Sequence, residues 1–347
     1  MHILVLNDAD DYALGASYAR AFRRLGHKVE LVDPAAELGG NFLWRSRITR
    51  RLFEQRIITS FNRNWISELS QTSAEVVWVG KGDWATPWLW EELKRRRPDI
   101  RLVCYNADNP ITTFSRGANR PWVTESIPCF DLYCTYNQSL IEPLRRAGAK
   151  QVAWIPFAWD PDLHPQSLPS DDERNHYSCD VLFVGNGDSH REKWMKDIIK
   201  CATRFNWRFA IYGDWSRCRE KSVLKLVRDK QIYGVEMVKA ICSAKVSLNI
   251  LRKQNEGSHN MRTFEIPGCG GLLVSQRSPE QEKFFPNNRA AAYYSNAREC
   301  VDTLQLLLKN EPHRLQMVRN SQDIASRHTY IHRADRLLNC LHRQVLC

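Results

Sequence analysis

Short apolar runs alternate with helix-like segments along most of this 347-residue chain. The first apolar run, residues 3–7 (ILVLN), is followed by a polar loop and a helix-like segment at 17–25 that ends before Gly26. A second apolar run follows at 29–32. A strand, a helix and a strand at this spacing predict a βα unit with parallel strands. The chain is therefore expected to open with a parallel sheet covered by helices.

The alternation is interrupted once and then restarts. Residues 159–178 are rich in proline and polar residues and lack apolar periodicity, which is typical of a boundary or linker. We therefore predict an α/β fold with two tandem Rossmann-like domains, at 1–165 and 178–330, that face a cleft. A final helix within 331–347 is predicted to bury one face and is a candidate to pack back across the domain junction.

The loop after the first strand argues against a dinucleotide cofactor. It reads NDADDYALGAS and contains one glycine, so the GxGxxG pattern that lets a backbone approach a pyrophosphate is missing. Several acidic or amide side chains stand where the pyrophosphate would bind. A nicotinamide or flavin enzyme is therefore disfavoured.

Net charge and cysteine usage narrow the class of protein. The formal net charge of +11 favours anionic partners, which include phosphates, nucleic acid and a membrane surface. The chain begins without a signal-like segment and has no uninterrupted apolar run of ~20 residues, so a cytoplasmic protein is expected. The eleven cysteines form no CxxC pair, which favours free thiols over disulfides or a structural metal site.

Four loops of the second half could bind a nucleoside diphosphate, and they lie at residues 185–191, 212–215, 249–262 and 259–275. Glycines at 185, 187 and 213 allow close approach of backbone N–H groups to an anion, and Lys253 and Arg262 supply positive charge. The carboxylate of Glu265 suits the two hydroxyls of a ribose. Each feature also has a structural explanation: Arg262 and Glu265 could form a helix-surface ion pair, and the glycines could merely end strands. Asn249 could likewise be a residue on a sheet edge.

The stretch SHNMRTFEIPGCGGLLVS, with the segment YYSNARECVDTLQLLLKNEPHRLQMVRNSQDIASRHTYIHRADRLL, resembles a known family. Over roughly 180–338 the chain is similar to spore-maturation-protein (CgeB)-type glycosyltransferases, a branch of the GT-B group, with a weaker likeness in YNADNP and WIPFAWDPDLHP. The resemblance implies GT-B architecture, with an acceptor site in domain 1–165 and a nucleotide-sugar donor site in domain 178–330. Glu265 matches the ribose-binding position of the group. A second glutamate, frequent eight positions earlier, is replaced by Gly257, and Glu256 is offset by one.

From these loops and the resemblance we predict a set of donor-binding residues. They are Gly185, Asn186, Tyr212, Gly213, Asn249, Lys253, Asn260, Arg262, Thr263 and Glu265. No metal and no cofactor is predicted, because the nucleotide-diphosphate sugar is itself the co-substrate and arginine and lysine would neutralise its phosphates.

The candidate catalytic residues are Asp8, Asp108 and Arg262. Both aspartates follow strands of the first domain and could act as a base for an acceptor hydroxyl, although either could equally cap a helix. Arg262 would stabilise the leaving diphosphate. The sequence leaves open whether transfer retains or inverts the anomeric configuration.

Residues 41–69 combine apolar side chains at steps of four with six arginines. This pattern predicts a helix with an apolar stripe beside a cationic face. The stripe could pack on the sheet of its own domain. Alternatively, the segment could border the acceptor site or contact an anionic membrane, which would place the protein peripherally on the inner face of that membrane.

Three functions remain compatible with the sequence. The first is a glycosyltransferase that acts on a surface polysaccharide, a lipid-linked glycan, a protein or a modified nucleic acid. The second is a catalytically silent GT-B-like protein that binds a nucleotide sugar or an anionic polymer. The third, a nucleic-acid-binding protein, rests on charge alone, since no recognised motif for it is present.

Overall fold

A computed structural model describes residues 1–40, 42–111, 120–165, 169–228 and 231–343, apart from the side chains of Arg47 and Arg343. The chain forms two compact units. Unit 1 comprises Met1–Pro156 with Tyr330–Cys347, and unit 2 comprises Phe157–Thr329.

Unit 1 contains a six-stranded sheet in which every neighbouring pair is parallel, in the order β2-β1-β3-β4-β5-β6. Its strands are largely buried apolar runs, as expected for a parallel sheet with helices on both faces, except for the edge strand β2, which is exposed or half-buried throughout. The strands are β1 (His2–Leu6), β2 (Lys28–Val32), β3 (Val76–Gly80), β4 (Arg101–Asn106), β5 (Leu132–Thr135) and β6 (Val152–Trp154).

In the described part of unit 1, seven helices precede the linker. The first ends as predicted before Gly26, whose positive φ of 83° suits a glycine after a helix. These helices are α1 (Leu14–Arg24), α2 (Pro34–Gly39), α3 (Phe42–Arg45), α4 (Arg47–Ser70), α5 (Pro87–Arg96), α6 (Pro121–Glu125) and α7 (Ile141–Arg146). Single 3₁₀ turns occupy Ile127–Cys129 and Gln138–Leu140.

Helix α4 only partly follows the predicted apolar stripe. Its backbone is non-helical at Phe53 (φ −126°, ψ 15°), so the helix is kinked there. Ile57 and Trp65, beyond the kink, are buried in the core of unit 1, whereas Ile48 and Leu52, before it, are exposed. The interpretation of the stripe as core is therefore right for the second half of the segment and wrong for Ile48 and Leu52 in the first half, where Trp44 is half-buried against the core.

Unit 2 contains a five-stranded parallel sheet in the order β11-β10-β9-β7-β8. Its strands are β7 (Cys179–Val184), β8 (Phe209–Tyr212), β9 (Ala244–Asn249), β10 (Leu273–Gln276) and β11 (Ala292–Tyr294). Strand β9 pairs on both sides, so Asn249 at its end does not lie on a sheet edge. The carboxyl ends of β7, β8 and β9 are adjacent because these three strands are neighbours.

Among its described residues, unit 2 has eight helices. They are α8 (Asp171–Tyr177), α9 (Ser189–Ala202), α10 (Lys221–Leu224), α11 (Gly234–Ser243), α12 (Arg262–Gly268), α13 (Pro279–Phe284), α14 (Ala297–Lys309) and α15 (Glu311–Ala325), with a 3₁₀ turn at Lys253–Asn255. Helix α8 lies within the segment predicted to be an irregular linker. It forms there because Ser170 and Glu173 make a capping box, a local signal that apolar periodicity does not detect.

The last helix, α16 (Tyr330–Arg343), belongs to unit 1. It packs against α1, with the ring of Tyr330 5.3 Å from that of Tyr18. Arg333 Nε donates to Pro156 O at 3.1 Å, and Leu337 is fully buried. This helix therefore buries one face, as predicted; residues 344–347 of the predicted segment lie outside the described residues.

The sequence also predicted free cysteines and no segment long and apolar enough to span a membrane. The cysteines in the described part of the chain are all free. None of the helices in that part combines the length and the apolar character that crossing a membrane requires.

Candidate functional site

Hydrogen bonds join the two loops that follow β7 and β8 in unit 2. Gly185 N donates to Tyr212 O at 2.8 Å, and Gly187 N donates to Asp214 O at 2.8 Å. Asp214 N in turn donates to Asn186 Oδ1 at 2.9 Å. The predicted residues Gly185, Asn186 and Tyr212 are thus brought together, and the two loops form one connected surface at the carboxyl ends of these strands.

Two of the glycines in these loops are required by close packing. Gly213 has φ of 140°, and a Cβ there would lie 2.3 Å from Gly185 O. A Cβ on Gly187 would lie 2.6 Å from the ring of Trp215. Gly185 itself would meet only ordinary contacts. Contact between the loops is therefore sufficient to explain glycine at 187 and 213, whether or not an anion binds there.

Arg262 and Glu265 form an ion pair at the start of α12. Arg262 Nη1 bonds Glu265 Oε2, and Arg262 Nε donates to Val184 O at 3.1 Å. Glu265 is only 4% exposed. The two residues therefore do form the ion pair that the structural explanation predicted, but Glu265 is buried and does not lie on the helix surface. Because Val184 ends β7, this contact places the guanidinium charge beside Gly185.

Arg191 also belongs to this cluster, although no role is predicted for it from the sequence. It lies in the first turn of α9 and is 7% exposed, with Nε donating to Ile250 O at 3.0 Å and Nη1 to Asn186 O at 2.9 Å. Burial lowers the pKa of Arg191 to about 10, and the positive charges of Arg252 and Arg262 add to this shift. Arginine in the first helical turn after a glycine loop was the signal available in the sequence.

Three predicted donor-binding residues are instead engaged in a buried polar network. Asn249 and Asn260 exchange side-chain hydrogen bonds of 3.0 and 3.1 Å, and Asn249 Nδ2 also donates to Ser275 Oγ. Thr263 Oγ1 contacts Asn260 Oδ1 at 3.2 Å and Gln281 Oε1 at 2.9 Å. The network fixes the start of α12 against β9. These side chains therefore have hydrogen-bond partners within unit 2, and their contact with a donor stays a prediction.

Tyr212 and Lys253 differ in exposure. The side chain of Tyr212 is buried, and its backbone O accepts the hydrogen bond from Gly185 N. Lys253 is exposed in a 3₁₀ turn, and no described hydrogen bond or ion pair links it to Arg262 or Glu265.

His164 is a second residue that the sequence did not single out. It is buried, and its Nδ1 atom has no hydrogen-bond partner among the described residues. Burial lowers the pKa of His164, the carboxylate of Glu265 opposes this shift, and Arg262 adds to it. The imidazole therefore lies within electrostatic range of the Arg262–Glu265 pair, and its burial favours the neutral form.

The candidate catalytic aspartates lie in unit 1. Asp8 follows β1, and its Oδ1 accepts from Asp10 N at 2.9 Å; it does not cap α1, whose N-cap is Ala13. Asp108 follows β4 and pairs with Lys81 Nζ at 3.0 Å. Both carboxylates are thus at the carboxyl-end edge of the unit 1 sheet, where ligands of open α/β sheets bind.

The surface of unit 2 has a cavity beside the joined loops and a larger one elsewhere. A surface cavity of about 300 Å³ lies against the joined loops and is lined by Gly187, Asp188, Ser189, Glu192, Arg217 and Cys218. A larger one of about 600 Å³ lies at the ends of β10 and β11, away from Arg262. Within the described ranges no group of three or more His, Cys, Asp and Glu side chains could hold a metal ion.

A family model described as glycosyl transferase-like matches residues 191–339. The matched segment begins at Arg191 and contains Arg262 and Glu265, and it ends within α16. No curated protein matches the chain in sequence.

Solved structures match the chain over nearly its whole length. Sucrose-phosphate synthase of Thermosynechococcus elongatus superposes with a TM-score of 0.70 at 12% identity, covering 99% of this chain and 98% of that one. HepE of Anabaena, solved in complex with UDP and glucose, gives 0.67 at 12%, covering 98% and 99%. A glycosyltransferase from Rickettsia africae gives 0.69 at 8%, covering 98% and 97%. The fold is GT-B.

This likeness confirms the predicted fold class of two Rossmann-like domains with parallel sheets. At these identities it shows the fold alone. The narrower resemblance to spore-maturation-protein-type enzymes stays a prediction, and so do the roles of the individual site residues.

Proposed function

We propose that this protein is a glycosyltransferase whose donor, a nucleoside-diphosphate sugar, binds at the joined loops and α12 of unit 2. The observation that carries the proposal is the anchoring of the Arg262–Glu265 pair at the end of β7, beside Gly185. It places a cation and a carboxylate, both within the segment that matches the glycosyl transferase-like model, next to a glycine loop that lies just before that segment. HepE, with the same fold, was solved with UDP, so a UDP-sugar is the first donor to test.

The positive charges of the site suit a diphosphate. Burial makes the charge of Arg191 costly and lowers its pKa, and the positive charges of Arg252 and Arg262 lower that pKa further. A bound dianionic diphosphate would relieve that repulsion and form charge-assisted hydrogen bonds. As the sugar leaves, negative charge grows on the diphosphate, so cations fixed in advance lower the barrier to transfer.

Glu265 is the proposed ligand of the donor ribose. Its Oε2 atom is occupied by Arg262, whereas Oε1 has no partner among the described residues. A carboxylate held in this way can accept hydrogen bonds from ribose hydroxyls through the second oxygen. Arg262 then has two roles, since it orients Glu265 and contributes charge near the phosphates.

Unit 1 is the proposed acceptor domain. Asp8 and Asp108 lie at the carboxyl-end edge of its sheet, and the ion pair with Lys81 holds Asp108 in place. Either carboxylate could accept the proton of an acceptor hydroxyl if the reaction inverts the anomeric centre. A glycan, a lipid-linked glycan, a protein or a nucleic acid could each supply that hydroxyl.

A catalytically silent nucleotide-sugar binding protein is the second candidate. It is favoured by Gly257, which stands where the wider group often has a glutamate. The neighbouring Glu256 is exposed and makes no described ion pair. Such a protein would bind the donor without cleaving it.

Incubation with a panel of nucleotide sugars would separate these two functions. An enzyme is expected to release nucleoside diphosphate slowly even without acceptor, because water can replace the acceptor hydroxyl. We expect release from UDP-glucose or a related UDP-sugar, measured by chromatography. Tight binding of UDP with no release from any nucleotide sugar, in the presence of candidate acceptors, would favour the silent protein instead.

Replacing Glu265 by glutamine tests the ribose contact. Glutamine keeps the size of the side chain but loses the negative charge that pairs with Arg262. It also replaces one of the two carboxylate oxygens that could accept from the hydroxyls with an NH₂ group. We expect UDP binding to weaken by about 1–3 kcal/mol, measured by titration calorimetry. Glu282→Gln, on α13, is the matched control because it also removes a glutamate that pairs with an arginine. Equal affinity of parent and Glu265→Gln, with both folded, would contradict the assignment.

Chelation tests how the diphosphate is neutralised. If arginines take this role, activity is expected to stay within about twofold in excess EDTA, whereas a site that holds the diphosphate through a divalent ion should lose it. The assay is donor hydrolysis with and without EDTA. Activity that EDTA abolishes and manganese restores would show that a metal ion is required.

A further inference from the structure

The segment Phe42–Phe53, at the start of α4 and in α3, carries an unusual surface. Among the described residues, five of the thirteen large apolar side chains with high exposure fall within it. Phe42, Ile48 and Leu52 are 82%, 73% and 68% exposed, and Leu43 and Phe53 accompany them. Contiguous exposed apolar side chains of this kind mark a contact surface. We call this segment the basic apolar patch.

The patch has a fixed conformation. Thr49 Oγ1 donates to Leu43 O at 2.5 Å, which ties α3 to α4, and the guanidinium of Arg50 lies 5.6 Å from the centre of the Trp44 ring. Just after the kink at Phe53, Glu54 pairs with Arg120 at 2.7 Å. The kink therefore separates a buried half of α4 from an exposed half that is still held to unit 1.

Apolar and cationic side chains share the exposed half. Ile48 and Leu52 are four residues apart and lie on one face of the helix, with Arg51 three residues after Ile48. The patch sequence, FLWRSRITRRLF, contains four arginines and no acidic residue. Of these arginines, Arg45, Arg50 and Arg51 are exposed. An occupant of this surface must accept both bulky apolar groups and positive charge.

We propose that the basic apolar patch docks on a membrane surface that contains anionic lipids. A polyphosphate chain would satisfy the arginines but leave the exposed Phe, Ile and Leu side chains in water. A second copy of the chain, paired through the same patch about a two-fold axis, would bring arginines together. An anionic lipid leaflet satisfies both groups, since the apolar side chains enter the acyl boundary and the arginines remain among the headgroups. The proposal does not depend on the donor chemistry of unit 2.

Sedimentation of the full-length protein with vesicles tests the proposal. We expect the protein to bind vesicles of equal parts phosphatidylcholine and phosphatidylglycerol, to bind phosphatidylcholine alone weakly, and to dissociate as sodium chloride is raised. Arg50→Glu with Arg51→Glu is expected to lower partitioning onto the anionic vesicles at least about tenfold. Ile48→Ser with Leu52→Ser is expected to lower it by at least about the same factor. Since all four side chains are exposed, the fold should be unchanged.

Matched variants elsewhere provide the controls. Leu306→Ser with Leu315→Ser removes two exposed leucines from unit 2, and Leu306 is 72% exposed, close to Leu52. Arg289→Glu with Arg319→Glu makes the same charge change at two exposed positions. Both control pairs are expected to partition within about threefold of the parent, allowing for the change in net charge.

Three results would overturn the proposal. One is a parent protein that fails to bind anionic vesicles at low salt. Another is patch variants that bind as well as the parent, or control variants that lose binding equally. The third is a patch variant whose oligomeric mass in size-exclusion chromatography differs from that of the parent, while its vesicle binding is unchanged. That result would assign the surface to contacts between proteins. Donor hydrolysis, measured on the same variants without lipid, should be unchanged and so keeps this test separate from that of the proposed function.

Discussion

Replacing Arg262 by alanine is expected to lower kcat/KM for sugar transfer by roughly 10²–10³, about 3–4 kcal/mol of transition-state stabilisation. The variant loses the cation beside the proposed diphosphate site and the hydrogen bond to Val184 O. It also leaves the buried carboxylate of Glu265 without its partner, which carries a cost of its own. The measurement is steady-state kinetics with the UDP-sugar that the panel identifies.

Two further variants distinguish catalysis from loss of structure. Arg262→Lys keeps the charge but cannot contact Val184 O and Glu265 together, so an intermediate loss of activity is expected. Arg277→Ala removes an arginine that pairs with Glu282 and Glu299 at the end of β10 in the same sheet, away from the joined loops. Its activity should remain near that of the parent. If Arg262→Ala is folded and as active as Arg277→Ala, Arg262 has no role in transfer.

Replacing Gly213 by alanine is expected to destabilise the protein by about 3 kcal/mol or more. The new Cβ would meet Gly185 O at 2.3 Å, and both contacting atoms belong to backbone that hydrogen bonds hold in place. Overpacking costs ~1–3 kcal/mol, and a positive φ adds ~1–2 kcal/mol for a residue with a side chain. Urea denaturation of the full-length protein measures the change.

Gly257→Ala is the matched control for this variant. Gly257 also has a positive φ, of 78°, but a Cβ there would meet nothing within 4 Å. It should therefore show the backbone cost alone, about 1–2 kcal/mol. The difference between the two variants isolates the contact between the loops. Equal destabilisation would mean that the loops separate at little cost and do not form the connected surface described above. UDP affinity should fall in Gly213→Ala and persist in Gly257→Ala.

The order of elements and the fold class could be predicted from the sequence because they depend on local signals. The apolar run at β1 and the glycine that ends α1 are each recognisable within a few residues. Local signals also suggested candidate donor-binding residues, namely Asn249, Arg262 and Glu265. Each of them lies near the end of a predicted strand or the start of a predicted helix. The prediction that no dinucleotide cofactor binds after β1 also rests on a local signal, the missing glycine pattern, and stays a prediction.

Tertiary contacts decided where these residues lie and which groups they contact. Arg262 reaches Val184 O on a strand far away in the sequence, and Asn249 is hydrogen-bonded within a buried network that includes Asn260. His164 and Arg191 join the site through burial and charge, neither of which a local pattern encodes. The regular steps of four through residues 41–69 predicted one continuous stripe, yet the kink at Phe53 and the position of the sheet bury only the second half. Periodicity states which side chains share a face of a helix, and only the packing of the whole unit determines whether that face meets protein or solvent.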